Sequence, residues 1–361
     1  MVSILIVGCA RVETTTTVPA QTDTKVPPTL TSSPMPPTFT AIPTNTQIPA
    51  TTTPKPLPTA TSTPATQPYE VITNLSYVGV DDPDHSLSIY LPTGTRQSLT
   101  LLVQGGEYYP GMLRYFADLG YTVMAFNTRG DTYQEEIQDG FCALAWAHAN
   151  ADTYGFDAQG IIPVGGSMWG GNAALLGLVD DPTPFLEGCP HRLPETDRVR
   201  AVITLAGVFD YSEEADFFDG FIESIRPFMG GTAAQVPENW AAASAITWVQ
   251  GDEPPFLLVH GEVDTNVAPH QSEKFAAALD AVGADVELVL LPGIDHYNSV
   301  TDRKVFEAMA SYLARLEKAD GLNSFGAGTF AFVSNRDGDY EIYLMMIPMV
   351  LICSSRRYAL R

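Results

Sequence analysis

A serine lies at the centre of a glycine-rich run, GGSMWGG, at positions 165–171. A short apolar segment precedes this run, and a segment rich in alanine and leucine follows it. A strand that turns sharply into a helix would expose the Ser167 hydroxyl at the apex of the turn. The N–H of Met168 and the positive end of the helix dipole would then stabilise an oxyanion formed beside the serine. The run therefore predicts nucleophilic catalysis at Ser167.

An aspartate and a histidine that could activate this serine follow later in the chain. Asp264 and His296 each come shortly after an apolar run of strand length. Because loops at the carboxyl ends of parallel strands converge on one edge of a sheet, both are expected near Ser167. His296 would take the serine proton during attack on a carbonyl, and Asp264 would hold the tautomer and stabilise the imidazolium. Asp295 is a weaker candidate for the acid.

Two stretches around the serine chemistry carry unusual residues. The common pattern G-x-S-x-G has glycine two residues after the serine, where this chain has Trp169. Either the tryptophan is tolerated there, or it is a one-residue insertion that would re-aim the hydroxyl. The second oxyanion donor is expected in the run QGGE at 104–107, at Gly105 or Gly106, because glycine backbone can approach a substrate carbonyl closely.

Alternating strands and helices are expected to position these residues. Strand-like runs lie at 87–91, 99–104, 121–126, 161–164, 201–205, 256–260 and 286–291, and helix-like runs lie at 112–119, 134–150, 172–179, 271–282 and 303–317. This alternation predicts an α/β fold with a mostly parallel central sheet covered by helices on both faces. Residues 209–246, rich in Asp, Phe and Gly, interrupt the rhythm, and a lid or cap insertion could sit there.

Composition separates a folded domain from an N-terminal arm. Residues 14–68 contain 13 proline and 19 threonine residues among 55. Such a segment buries too little apolar area to offset its conformational entropy, which predicts a disordered Thr/Pro-rich linker over 10–68 and a folded domain over 69–320. The net charge of −23 argues against nucleic acid or anionic lipid as a partner, because both require Lys and Arg. The oligomeric state is left open.

The first nine residues end in the run IVGC at 6–9, which resembles a bacterial lipobox with Cys9 as the lipidated residue. The resemblance implies an extracytoplasmic, cell-surface lipoprotein that touches the membrane only through its lipid, with the linker as a tether. The alternative is that residues 1–9 are the end of the disordered arm, since a basic segment before the apolar stretch is missing.

The remaining cysteines and histidines suggest structural roles. Cys142 and Cys189 are the pair inside the folded domain, and either a disulfide or two buried thiols is compatible with the sequence. His260, His270 and His148 are expected to be strand-end, surface and helix-face residues. No spacing of these residues suggests a metal site, and no cofactor is expected.

The domain resembles the esterase/lipase branch of the α/β-hydrolases. The stretches that carry the resemblance, besides those around the serine, are LSIYLP at 87–92, GYTV at 120–123, YGFD at 154–157, PFLLVHG at 255–261 and PGIDH at 292–296. It is most similar to carbohydrate-associated acetyl or feruloyl esterases and to prolyl-oligopeptidase-like enzymes. The resemblance implies the α/β-hydrolase fold and a catalytic triad of Ser167, Asp264 and His296. The run QGG resembles the His-Gly-Gly of esterases, with Gln104 in place of His.

This resemblance implies a serine hydrolase that cleaves carboxylic esters, with a small-molecule or carbohydrate ester as substrate. Two alternatives stay open. One is a peptidase of the prolyl-oligopeptidase kind, and the other is a catalytically inactive hydrolase fold that binds a ligand.

The C-terminal part of the chain carries a second resemblance. Residues 325–345, in particular the stretch FAFVSNRDGDYEIYLM, resemble one repeat of a TolB-like β-propeller. One repeat cannot close a propeller, because each blade needs neighbours to bury its faces. The apolar and basic residues at 346–361 replace the expected polar turn, and this tail is expected to be unstructured. We expect a reading frame disrupted at this point.

Overall fold

The computed structural model describes residues 68–319, except positions 81 and 95, and the backbone of two further strands. An eight-stranded sheet forms its centre, with the strands in the order β1-β2-β4-β3-β5-β6-β7-β8. Only β2 runs antiparallel to its neighbours β1 and β4 and all later pairs are parallel. The strands are β1 (Tyr69–Ser76), β2 (Ser86–Pro92), β3 (Thr100–Gln104), β4 (Thr122–Phe126), β5 (Ile161–Gly166), β6 (Val202–Leu205), β7 (Phe256–Gly261) and β8 (Val286–Leu291).

Helices cover the sheet on both faces. They are α1 (Pro110–Asp118), α2 (Tyr133–Tyr154), α3 (Met168–Leu178), α4 (Phe221–Met229), α5 (Pro237–Ala243), α6 (His270–Ala281) and α7 (Arg303–Ala319). Side chains of α1 and α7, such as Phe116 and Leu313, share one core with the strand residue Val103. Side chains of α2, α3 and α6, such as Leu144 and Phe275, share a core on the other face. The predicted α/β-hydrolase fold, with a mostly parallel sheet between helices, is confirmed.

The boundaries of α2 follow from its capping residues. The Thr132 hydroxyl oxygen accepts a hydrogen bond from the Glu135 N–H and so caps the helix, and the hydroxyl donates to the Glu135 carboxylate. The helix ends at Gly155, whose φ of 70° suits a glycine C-cap. The sequence pattern predicted only 134–150, because the last turn carries polar residues that do not follow the apolar period.

Residues 209–246, where a cap insertion was expected, pack into the larger core. Phe209 and Tyr211 are buried, and so are Phe221 of α4 and Trp240 of α5. The Phe218 N–H donates to the Asn266 carbonyl at 3.2 Å, so this segment also braces the loop after β7.

The edge strand β1 was missing from the sequence prediction. It pairs with β2 from Tyr69 opposite Pro92 to Ser76 opposite Ser86, with an irregularity between Ile72 and Leu75. Its alternation is weak, because Thr73 and Asn74 lie at this irregularity and are exposed. The prediction therefore failed where the strand departs from a regular register.

Two short strands pair antiparallel near the C-terminus, β9 (Thr329–Ser334) with β10 (Glu341–Met346). Their assignment to a propeller repeat stays a prediction. The expected lipobox, the linker up to position 67 and the tail after position 346 lie outside the described residues. Within the described part of the chain, no helix combines the length and the hydropathy needed to span a bilayer.

A disulfide joins Cys142 and Cys189, which are 47 positions apart. It ties the middle of α2 to the loop that follows α3. The sequence left this pairing open against two free thiols, and the structure selects the bond.

Candidate active site

The turn between β5 and α3 places Ser167 at its apex in a constrained backbone conformation. Ser167 has φ 57° and ψ −129°, in a region that L-residues rarely adopt. Its N–H donates to the Leu205 carbonyl at 2.9 Å, which anchors the turn to β6. A Cβ on Gly165 would lie 1.9 Å from the Trp169 carbonyl oxygen, so glycine is required where the chain crosses itself. This is the strand–turn–helix geometry predicted for a nucleophilic serine.

Trp169 is the second residue of α3, which runs without interruption from Met168. It is therefore a replacement within the helix and not an inserted residue. The glycines that follow allow the close packing of the helix, since a Cβ on Gly170 would lie 2.8 Å from the Gly207 Cα. The alternative in which an inserted residue re-aims the Ser167 hydroxyl therefore does not apply.

Three side chains from different loops form a hydrogen-bonded chain at the carboxyl edge of the sheet. His296 Nε2 lies 3.1 Å from Ser167 Oγ, and His296 Nδ1 lies 2.7 Å from Asp264 Oδ2. The Asp264 side chain is fully buried, whereas the His296 side chain is 21% exposed. With the proton on Nδ1, the imidazole donates to Asp264 and accepts from the serine hydroxyl. This arrangement can deprotonate Ser167 and stabilise the resulting imidazolium.

The surroundings of Asp264 favour its charged form. Burial alone would raise the pKa of Asp264, but hydrogen bonds from His260, His296 and the Val267 N–H outweigh burial. Together they hold the pKa of this carboxyl well below its ordinary value. Oδ1 also accepts from the Asn266 N–H at 2.8 Å, so both oxygens are fixed. Asp264 is thus an ionised partner for His296 across the neutral range.

The other candidate residues have different partners. The Asp295 carboxylate accepts from the Asn298 N–H at 2.9 Å and so caps the turn after His296. His260 is fully buried at the end of β7, with Nδ1 2.7 Å from Ser272 Oγ. Its Nε2 lies 2.9 Å from the Val267 carbonyl and 3.4 Å from Asp264 Oδ2. His270 pairs with Asp216 on the surface, and His148 lies 2.7 Å from the Arg198 carbonyl.

The three residues predicted as oxyanion donors differ in their geometry. The Gly105 N–H donates to the Phe126 carbonyl at 2.9 Å, which continues the pairing of β3 with β4. Because this N–H is occupied, the prediction of a donor at Gly105 is corrected: Gly105 supplies the turn, with φ 66°. The N–H groups of Gly106 and Met168 are bonded to no other group in the described part of the chain. These two stay candidates for the oxyanion hole.

A buried carboxyl that the sequence analysis overlooked connects the two unusual residues. Glu136, on α2, is 5% exposed. Its Oε1 accepts hydrogen bonds from the Trp169 indole N–H at 2.7 Å, the Gln104 amide at 2.9 Å and the Thr128 hydroxyl at 3.0 Å. Burial raises the pKa of Glu136, with the Asp139 charge adding to it, and the three hydrogen bonds reduce but do not cancel that rise.

In the sequence, Glu136 is marked only by its position next to Glu135 at the start of α2. A helix-start carboxylate is usually solvated, so its position gave no reason to expect burial. The amide oxygen of Gln104 is buried and pairs with no group in the described residues. An acceptor left unpaired in this way typically costs about 1–3 kcal/mol, which indicates that this cluster is not arranged for stability alone.

A cavity of about 710 Å³ lies at the opposite edge of the sheet. Its lining includes Gly160 and Pro255, at the amino ends of β5 and β7, and the side chains of Arg198 and Glu253. Loops at the carboxyl ends of the strands carry Ser167 and the residues around it. The cavity is therefore separate from the serine chemistry.

Comparison with known proteins agrees with this geometry. Residues 87–279, more than half of the chain, match the BD-FAE family. The chain belongs to the BD-FAE family. The family match includes the strand–turn–helix at Ser167 and the loop that carries Asp264, and it ends before His296.

Two esterases of Mycobacterium tuberculosis are similar to this BD-FAE chain. Esterase LipQ is 30% identical over an alignment of 241 positions that covers 62% of this chain and 56% of LipQ. Esterase LipC is 32% identical over an alignment of 240 positions that covers 60% of this chain and 57% of LipC. The chain thus spans about half the length of these relatives. A truncated carbohydrate esterase from gut microbiota superposes with a TM-score of 0.58 at 22% identity, covering 71% of this chain and 100% of that one, which supports the shared fold.

Proposed function

We propose that this BD-FAE chain is a serine hydrolase that cleaves carboxylic esters through an acyl-enzyme. The observation that carries the proposal is the hydrogen-bonded chain from Ser167 through His296 to Asp264, with distances of 3.1 and 2.7 Å. The similarity to LipQ and LipC, both named esterases, supports the reaction class.

In the proposed mechanism, Ser167 Oγ attacks the carbonyl carbon of the ester while His296 Nε2 takes the hydroxyl proton. Asp264 stabilises the imidazolium that forms, and it stays ionised throughout. The N–H groups of Gly106 and Met168 donate to the oxyanion of the tetrahedral intermediate. His296 then returns the proton to the leaving alcohol, which leaves an acyl group on Ser167. In the second half of the reaction a water molecule attacks the acyl carbon while His296 takes its proton. The bond from the acyl carbon to Ser167 Oγ then breaks, His296 returns the proton to Ser167, and the acid is released.

Exposed apolar side chains surround the proposed site. They support a substrate whose acyl or sugar group packs against flat surfaces. Tyr297, beside His296, is 73% exposed, and Tyr108, whose ring lies 5.2 Å from that of Trp169, is 64% exposed. Val263, beside Asp264, is 52% exposed. Exposed aromatic rings offer flat apolar faces against which a sugar ring or an aromatic acyl group can pack. Acetyl or feruloyl esters of carbohydrates are therefore the proposed substrates.

Hydrolysis of a short activated acyl ester tests the reaction class, with Ser167→Ala as the control. We expect turnover by the native chain and a loss of about 10⁶-fold in kcat for the variant. Parallel assays with an acetylated sugar, a feruloylated sugar and a dipeptide amide distinguish the substrates. Turnover of the peptide but not of the esters would assign the chain to the peptidases. No turnover, together with no labelling of Ser167 by a fluorophosphonate, would assign it to the binding proteins.

Export is part of the same proposal. The disulfide between Cys142 and Cys189 supports an oxidising compartment, because disulfides rarely persist in the cytosol. The proposed location is the cell surface, with a lipid on Cys9 and the Thr/Pro-rich linker as tether. Mass spectrometry of the N-terminal peptide from membranes tests this, and an unmodified Cys9 would contradict it.

A further inference from the structure

The two proposed oxyanion donors belong to separate segments of the chain. Gly106 follows β3, and Met168 opens α3. The strands that lead into these segments, β3 and β5, pair as far as Val103 opposite Val164, so the sheet sets where both segments begin. Both donors lie beyond this pairing, and an oxyanion hole works only when its donors are held at the position that the oxyanion will occupy. A contact between the two segments past the strand ends would hold the two N–H groups in place.

Trp169 provides one such contact. It directly follows Met168, and its ring lies over Gly105, which directly precedes Gly106. A Cβ built on Gly105 would be 2.3 Å from Trp169 Cζ3, so the ring sits where a side chain at Gly105 would have to be. The tryptophan therefore bridges the two donor-bearing segments.

The Glu136 carboxyl holds Trp169 in this bridging position. One carboxyl oxygen accepts from the Trp169 indole N–H at 2.7 Å and from the Gln104 amide at 2.9 Å. The first bond holds the residue after Met168, and the second holds the residue before Gly105. A third bond, from Thr128 at 3.0 Å, ties the same oxygen to the loop after β4. The two residues that depart from the common motif are thus coupled through a single acceptor.

The geometry points to Glu136 as a positioning residue that sets the oxyanion hole by locking Trp169 and Gln104 together. Glu136 contacts no reacting atom in this scheme and acts through Trp169. The inference rests on the proposed ester hydrolysis, because it assigns the donors of Gly106 and Met168 to that reaction. It adds a specific role for a carboxyl on α2 outside the triad.

Three substitutions separate this role from simple packing. Glu136→Gln keeps an amide oxygen that can accept the same hydrogen bonds. Glu136→Ala removes the acceptor, and Trp169→Phe removes only the indole N–H and keeps a ring over Gly105. Two matched controls lie elsewhere. Glu317→Gln changes a carboxyl that is also buried but lies on α7, and Trp240→Phe removes an indole N–H bonded to the Gly231 carbonyl.

We expect Glu136→Ala to lower kcat by about 10²-fold with KM changed less than about threefold, because a misplaced donor affects the transition state more than binding. Trp169→Phe should lower kcat by about 10-fold, and the double variant should be no slower than Glu136→Ala alone, because both act on one contact. Glu136→Gln should retain kcat within about threefold. The two controls should leave kcat unchanged.

The indole N–H signals in a ¹⁵N-correlated NMR spectrum test the contact without any activity. The chain has 4 tryptophans, and Trp169→Phe identifies the signal of interest by its loss. This signal should shift and exchange faster with solvent in Glu136→Ala, but not in Glu136→Gln or Glu317→Gln. If the native chain hydrolyses no ester while this signal behaves as expected, the proposed function fails and the contact stands. If ester hydrolysis is present but kcat is equal in Glu136→Ala and Glu317→Gln, the positioning role is overturned.

Discussion

The acid–base side of the site, Asp264 with His296, and the elbow side, Ser167 with Trp169 and Glu136, are held in place by different means. Two backbone N–H groups of its own loop hold one carboxylate oxygen of Asp264, and His296 lies against the other. Trp169 is fixed by a side-chain acceptor from a separate helix. Backbone contacts survive most substitutions nearby, whereas side-chain contacts depend on the identity of each partner. The elbow side can therefore diverge from a common motif, provided that its residues change as a set.

The largest effect should come from breaking the acid–base side. We expect Asp264→Asn to lower kcat by about 10⁴-fold, because an amide cannot hold the required tautomer or stabilise the imidazolium. Steady-state kinetics with an activated ester measure this. Asp295→Asn is the matched control, since its carboxylate caps a turn beside His296 and lies outside the hydrogen-bonded chain. A larger loss in Asp295→Asn than in Asp264→Asn would exchange the roles of the two residues.

A smaller effect should come from pushing the two elbow segments apart. Gly105→Ala places a methyl group 2.3 Å from the Trp169 ring at a residue with φ 66°, so the ring or the loop must move. We expect kcat to fall by about 10²-fold, comparable to other misplacements of about 1 Å, and the melting temperature to fall as well. Kinetics and thermal unfolding measure the two effects.

Gly111→Ala is the control for that loop, because a Cβ there meets no atom within 4 Å and its backbone is helical. It should retain both kcat and melting temperature. Equal behaviour of the two alanine variants would mean that Trp169 does not depend on Gly105 for its position.

The smallest effect concerns the pH dependence of stability. The folded-state pKa of Glu136 is raised, so the folded chain binds a proton more readily there than the unfolded chain, whose carboxyl titrates near about 4.3. The contribution of Glu136 to stability is therefore fully present below about pH 4.3 and declines as the pH rises towards the folded-state pKa. The free energy of unfolding of Glu136→Gln, relative to that of the native chain, should therefore increase as the pH rises through this interval.

Urea unfolding of both chains between about pH 4 and 8 measures this difference, which amounts to about 1.4 kcal/mol for each unit by which the pKa is raised. The lowered pKa of Asp264 has the opposite effect, because it stabilises the folded chain at pH values above the unfolded-state pKa. This contribution is the same in both chains, so it cancels in the difference. A difference that does not change with pH would contradict the raised pKa.

Much of the fold was readable from the sequence, because buried parallel strands and amphipathic helices leave a local pattern. The apolar runs before Asp264 and His296 gave both the strands and the edge at which these residues meet. The edge strand at Tyr69–Ser76 was missed, because its register is irregular and two exposed residues interrupt its alternation. The end of α2 was missed because its last turn is polar.

The elbow side was less predictable, because its contacts join residues far apart in the chain. Nothing near Glu136 indicates that it reaches Trp169, which lies 33 positions away. The occupied N–H of Gly105 depends on the register of β3 with β4, which glycine content alone does not reveal. The cysteine pair depends on the packing of α2 against the loop that follows α3. These features rest on long-range contacts, which local propensity does not encode.

The positive φ of Ser167 bears on the alternative that the chain is an inert binding protein. Glycine would adopt that conformation without strain, so replacing the serine would relax the turn and make the fold harder to unfold. A serine at this position therefore costs stability and supplies an exposed hydroxyl, which is the exchange that a nucleophile requires.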